Sequence, residues 1–221
     1  MLDPMTVMQK VLTIVRAYRA FSHPDSPLPT HFTQGMHPIC IITGENASGK
    51  SLVRRAVQQA CRSSTIWMIN ASMEARGGIP PEDGGVAKKL LYGNELEEST
   101  GYCSARIFQK LLYTAATAER DNTVFFDEPD IGLADEYAAG MGSELTRFVQ
   151  RMPGNTKGVF VVSHSRYLLA SLENMQPFHI HLGPEPITLS EWLRRKIEPK
   201  KLDLLVEKGK ENWKKIGAFL K

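Results

Sequence analysis

Cysteine is scarce in this 221-residue chain: Cys40, Cys61 and Cys103 are the whole complement, and none forms a C-x-x-C pair. Three thiols cannot build a disulfide framework, so folding has to rest on a packed core, and the composition fits reduced thiols in the cytoplasm. No apolar run approaches the roughly 18 residues that a membrane-spanning helix needs. The opening Met1-Leu2-Asp3-Pro4 lacks the basic stretch ahead of an apolar one that marks a secretory leader. Internal repeats and low-complexity tracts are missing too. Net charge is only +3, but it is unevenly spread. Residues 191–221 hold ten Lys/Arg against five Asp/Glu, while residues 1–190 hold seventeen against nineteen. The positive excess lies in the C-terminal tail.

What is present suits one domain with a substantial core, since 42% of residues are hydrophobic. Val7, Met8, Val11, Leu12, Ile14, Val15, Tyr18 and Phe21 recur at helical spacing over 5–21. Residues 22–37, with three prolines and three histidines, read as a loop. Strands are expected at 38–43, 65–70, 123–127, 158–163 and 178–182. Helices are expected at 51–61, 86–96, 102–119, 134–151 and 165–173, with a surface loop at 73–87 and a helical tail from Ile187, interrupted at Pro199 and Gly209. Alternating strands and helices predict an α/β fold whose mostly parallel sheet is flanked by helices on both faces. The expected organisation is an N-terminal helix and loop (1–35), a core (36–186) and a basic helical tail (187–221).

The most informative stretch is Gly44-Glu45-Asn46-Ala47-Ser48-Gly49-Lys50-Ser51, which fits G-x-x-x-x-G-K-[ST] and lies between an expected strand and an expected helix. Gly44 and Gly49 free the backbone to turn, so that the N–H groups of Asn46, Ala47, Ser48 and their neighbours converge on an anion. The helix that follows adds its positive N-terminal end. Lys50 would reach the β- and γ-phosphates, and the Ser51 hydroxyl would meet Mg²⁺. A P-loop NTPase that binds ATP with Mg²⁺ is therefore expected.

Thr123-Val124-Phe125-Phe126-Asp127-Glu128-Pro129 is an apolar strand ending in two carboxylates. Asp127 is placed to hold Mg²⁺ opposite Ser51, and Glu128 to polarise a water as general base. Gly158 to Ser165 is a further apolar strand, ending in Ser163-His164.

Asp127-Glu128-Pro129-Asp130-Ile131-Gly132-Leu133, with Ser163-His164 one strand later, resembles the soluble ATP-binding cassette (ABC) ATPases related to RecF, MutS and SMC proteins. The resemblance covers roughly residues 36–182. It implies an ABC-ATPase-like core in which His164 senses the γ-phosphate, and in which Ser99 and Gly101 of Glu98-Ser99-Thr100-Gly101-Tyr102 complete the partner's site in an ATP-dependent homodimer. It further implies an ATP hydrolase with DNA or a protein as client, in DNA repair, recombination or phage–host defence. The chain departs from the family pattern at Thr100, Tyr102 and Ala134. It also lacks a glutamine after the second strand, where Asn70, Ser72 or Arg76 would have to serve. The 70–99 segment is short, and no coiled coil is inserted.

Other features are less specific. Tyr18 or Phe32 would supply an aromatic platform for adenine, as ABC proteins often place one before the first core strand. His179 and His181 share a strand face at metal-ligand spacing, without an evident third ligand. The basic residues of the tail, Arg194, Arg195 and Lys200 among them, suit either nucleic-acid phosphate or a solvated helix on the core. Two other functions remain compatible with the motifs: a P-loop kinase acting on a small molecule, and a nucleotide-gated interaction module with negligible turnover.

Overall fold

In the computed structural model, residues 2–71 and 98–219 are described. The expected loop at 73–87 and helix at 86–96, together with Ser72 and Arg76, lie outside them. Six strands form one mixed sheet in the order β1-β6-β2-β5-β4-β3. They are β1 (Thr30–Thr33), β2 (His37–Gly44), β3 (Trp67–Ala71), β4 (Asn122–Asp127), β5 (Thr156–Val162) and β6 (Pro177–Leu182). Five strands run parallel, and β1 lies antiparallel along β6, with Phe32 opposite Ile180. The fold is α/β, as expected.

Alternation along the strands sorts their side chains onto two faces. Cys40, Ile42, Phe125, Phe160, Val162, Phe178 and Ile180 meet α1 (Pro4–Ala17) and α3 (Lys50–Ser63). Ile39, Ile41, Val124, Phe126, Val159 and Val161 meet α4 (Thr100–Thr117), α5 (Asp135–Gln150), α6 (Arg166–Glu173) and α7 (Leu189–Arg194) on the other. Because both faces are covered, the central strands carry unbroken apolar runs, such as Ile39 to Ile42 and Val159 to Val162, rather than alternating ones.

Local signals explain the helix starts. Asp3 accepts a hydrogen bond from the Thr6 amide at 2.8 Å, and Pro4 takes the first turn of α1, where no N–H is required. The expected single helix to residue 21 breaks at Tyr18, whose backbone is extended, and resumes as the short α2 (Arg19–Ser22). Strand β1 lies within the stretch expected to be a loop, because four residues bearing two threonines and a histidine after three prolines carry no hydrophobic alternation. The tail forms α7 and α8 (Leu202–Phe219). Pro199 lies in the gap between them, whereas Gly209 is accommodated inside α8. Among the described residues, no helix is long and apolar enough to cross a membrane.

Candidate functional site at the carboxyl edge of the sheet

Parallel pairing brings the ends of β2, β4 and β5 to one edge of the sheet: Asp127 is opposite Val162, and Val162 is opposite Ile42. In α/β sheets, the crevice outside the strand carboxyl ends is where ligands sit. Here it receives three segments. They are Gly44 to Ser51 after β2, Asp127-Glu128 at the end of β4, and Ser163-His164 after β5.

The first segment turns on three left-handed or near-extended residues: Gly44 (φ 157°), Ala47 (φ 60°) and Gly49 (φ 100°). A side chain on Gly44 would meet Ser48 Oγ at 2.5 Å, so glycine is required by space as well as by torsion. Ala47 holds a left-handed conformation that costs a non-glycine residue on the order of 1 kcal/mol or more. The loop closes with the Ser48 amide on the Glu45 carbonyl at 3.2 Å, and α3 starts directly from Gly49. Lys50 Nζ donates to the Glu45 carbonyl at 2.9 Å and to that of Gly44 at 3.4 Å. Burial lowers the pKa of this ammonium, against the opposing pull of Glu128 and Asp127. Ser48 Oγ is shielded from solvent and has no hydrogen-bond partner among the described residues.

Asp127 lies 3.8 Å from Arg54 on α3, both side chains being mostly buried. Glu128 adopts a left-handed backbone (φ 51°), and its carboxylate lies 3.4 Å from His164 Nε2. That contact with His164, seconded by Lys50, holds the Glu128 carboxyl below its ordinary range despite burial. Asp130 accepts a 2.8 Å hydrogen bond from Ser163 Oγ, which also receives the Ser165 amide at 2.9 Å. Burial raises the pKa of Asp130.

A cavity of about 570 Å³ joins these pieces. Asn46 to Leu52 form its floor, Asp127 and Glu128 one end, and five residues of α8 its wall: Gly209, Asn212, Trp213, Ile216 and Gly217. His164 instead lines a second cavity of about 720 Å³, together with Glu45, Asn46 and the segment from Arg195 to Lys208. The tail therefore crosses the loop between two openings. It is fastened there by Lys200 and Lys208 on Glu45, the latter at 2.5 Å, and by Asn212 Nδ2 on the Ala47 carbonyl at 2.9 Å. These two lysines hold the Glu45 carboxyl down to about 2.

Several expected residues lie elsewhere. Ser99 caps α4 by accepting from the Tyr102 amide at 3.3 Å. Gly101 is buried, and a side chain there would meet the Gly132 carbonyl at 2.4 Å. Neither lines the 570 Å³ cavity. Tyr18 packs on Phe21, and Phe32 lies under the Arg16 guanidinium at 4.8 Å, beside a different cavity between α1 and β6. His179 and His181 share the Thr43 hydroxyl, at 2.8 and 2.9 Å, and burial pulls each down to about 4. Among the described residues, no three His, Cys, Asp or Glu side chains cluster as a metal set. In the tail, Arg194 meets Glu173 at 3.2 Å, Lys215 meets Glu211 at 2.6 Å, and α8 buries no residue. Sequence reading missed Glu45 as a clamp and the α8 wall. The one available signal was the spacing of 209, 212, 213, 216 and 217 along one helix face.

No family model matches the chain, and no curated protein matches it. Among solved structures it is similar to "Structure of E. coli MS115-1 HORMA:CdnC:Trip13 complex", at 11% identity and a TM-score of 0.41, over 86% of this chain. The chain spans 63% of the length of that matched chain. So distant a likeness carries no argument about family or activity. The expected membership of the ABC ATPases is corrected: no family model matches the chain. Within the chain, the Ser99–Gly101 turn caps α4 and packs against Gly132, and α8 lines the cavity over the loop.

Proposed function

We propose that the chain is a P-loop NTPase, binding a nucleoside triphosphate such as ATP, with Mg²⁺, on residues 44–51 and hydrolysing it. The observation that carries this reading is the convergence of Lys50, Ser51, Asp127 and Glu128 on one cavity beside a glycine-turned loop at the carboxyl edge of the sheet. The loop fits a phosphate chain. Its turns direct amides into a concavity, the first N–H groups of α3 need partners, and Ser48 Oγ is a shielded polar atom without one.

Ser51 and Asp127 would hold Mg²⁺, whose charge would offset that gathering on the phosphates. Lys50 places an ammonium beside both carboxylates and is free to exchange its two carbonyl contacts for phosphate oxygens. Glu128 stays ionised at neutral pH, so it orients and polarises a water rather than storing a proton. His164 fixes the direction of that carboxylate.

Calorimetry with Mg-ATP tests binding. Lys50→Ala is expected to weaken it at least 100-fold, and unchanged affinity would end the proposal. Glu128→Gln is expected to keep binding and to lose turnover by about 100- to 10,000-fold, the range for general-base catalysis. Hydrolysis requires free phosphate as the product. A phosphorylated small molecule in its place would make the chain a kinase.

A further inference from the structure

We propose that Trp213 is the stacking platform for the base of the bound nucleotide, so that α8 is a wall of the nucleotide site rather than an appendage. The inference rests on the nucleotide reading above and adds the ligand class, a purine nucleoside triphosphate.

Trp213 is 73% exposed, an unusual state for the largest apolar side chain, yet it lines the cavity whose floor is the phosphate loop. It does not stand there by chance of a loose tail. Asn212, its neighbour in sequence, donates to the Ala47 carbonyl, and Lys208, one turn earlier, holds Glu45. The five wall residues at 209, 212, 213, 216 and 217 follow helical spacing, so one whole face of α8 looks into the cavity. None of that face is spent on the core, because α8 buries no residue. Gly217, a turn beyond Trp213, lines the same cavity, and among the described residues nothing lies within 4 Å of where its side chain would be. A cavity of about 570 Å³ is in the range that holds a nucleotide-sized ligand.

An indole face exposed beside an anion-binding loop offers what a nucleotide has at its other end, a flat apolar ring. Stacking on an aromatic is tolerant of base identity and grows with ring area, which favours purines over pyrimidines. Tyr18 and Phe32, the aromatics expected to hold adenine, are outside this cavity. ATP and GTP are therefore expected to bind alike, and both more tightly than a phosphate chain lacking a base.

The test compares Mg-ATP with Mg-tripolyphosphate by calorimetry on the full chain, in the parent and in Trp213→Ala, Trp213→Phe and Lys50→Ala. The parent should prefer ATP. Trp213→Ala should lose roughly 5- to 100-fold in ATP affinity, with tripolyphosphate affinity unchanged, and Trp213→Phe should retain most of the preference. ATP should also quench the parent's tryptophan emission but not that of Trp213→Phe, since Trp192 is buried and Trp67 lies at the far edge of the sheet. Equal ATP affinity in Trp213→Ala and the parent, or an equal loss for both ligands, overturns the stacking role while leaving the phosphate site intact. Failure of the parent to bind either ligand, or binding insensitive to Lys50→Ala, overturns the nucleotide reading itself.

Discussion

Glu128 and His164 are coupled through a 3.4 Å contact that keeps the carboxyl below its ordinary pKa. Removing the ring in His164→Ala lets that pKa rise toward the ordinary carboxylate range. Because the proposed base works ionised, the acid limb of the hydrolysis–pH profile should move to higher pH in the variant, and an unmoved limb would uncouple the two residues. The buried histidines have a different consequence, for stability. His179 is pulled from 6.5 to about 4 by burial, so the unfolded chain binds the proton more readily between those values. Its contribution is complete above pH 6.5 and erodes as pH falls toward 4, by at most about 3 kcal/mol at 1.36 kcal/mol per unit. Urea titrations across that window should show a shallower loss in His179→Gln than in the parent. That Lys50, Ser51, Asp127 and Glu128 line one cavity was legible from the spacing of their two motifs. Glu45 was not, because its partners lie 155 and 163 residues away and no local pattern points to them.

Helices and strands were legible where a hydrophobic period or a cap set them. α3 follows from the glycine turn before it, and α4 from its Ser99 cap. Strand β1 escaped because its place is set by pairing with β6 and not by its own composition. Close approaches between elements are equally invisible in sequence. Gly101 lets α4 meet the turn at Gly132, and Gly142 lets α5 meet α6, where a side chain would lie 2.4 Å from the Leu168 carbonyl. Replacing either by alanine drives a methyl group into backbone, and each should cost about 1–3 kcal/mol in denaturant unfolding, the range for overpacking. Gly140, two residues before Gly142 and on another face of α5, has nothing within 4 Å, and its alanine variant should be neutral or slightly stabilising.

At the scale of the molecule, the sheet and its two apolar layers form a body to which α8 adds a surface contact. α7 belongs to the body, since Leu189 and Trp192 are buried in it, while α8 buries nothing. A chain ending at Glu198 should therefore unfold with nearly the parent's free energy, within about 0.5 kcal/mol, as surface changes do. It should nonetheless lose the preference for ATP over tripolyphosphate. A large drop in the unfolding midpoint would instead make α8 part of the body. The α/β architecture followed from alternating apolar strands and helices, whereas the path of the tail across the loop depended on polar contacts between distant segments. The family expectation failed on similar ground, because short motifs specify local chemistry more strongly than they specify ancestry.

The fastening of Lys200 on Glu45 joins residues 155 positions apart. A ribosome adding about 5–20 residues per second needs about eight to thirty seconds to cover that interval. Throughout that time the Glu45 carboxylate waits without Lys200, and the glycine turn without the strap that later crosses it.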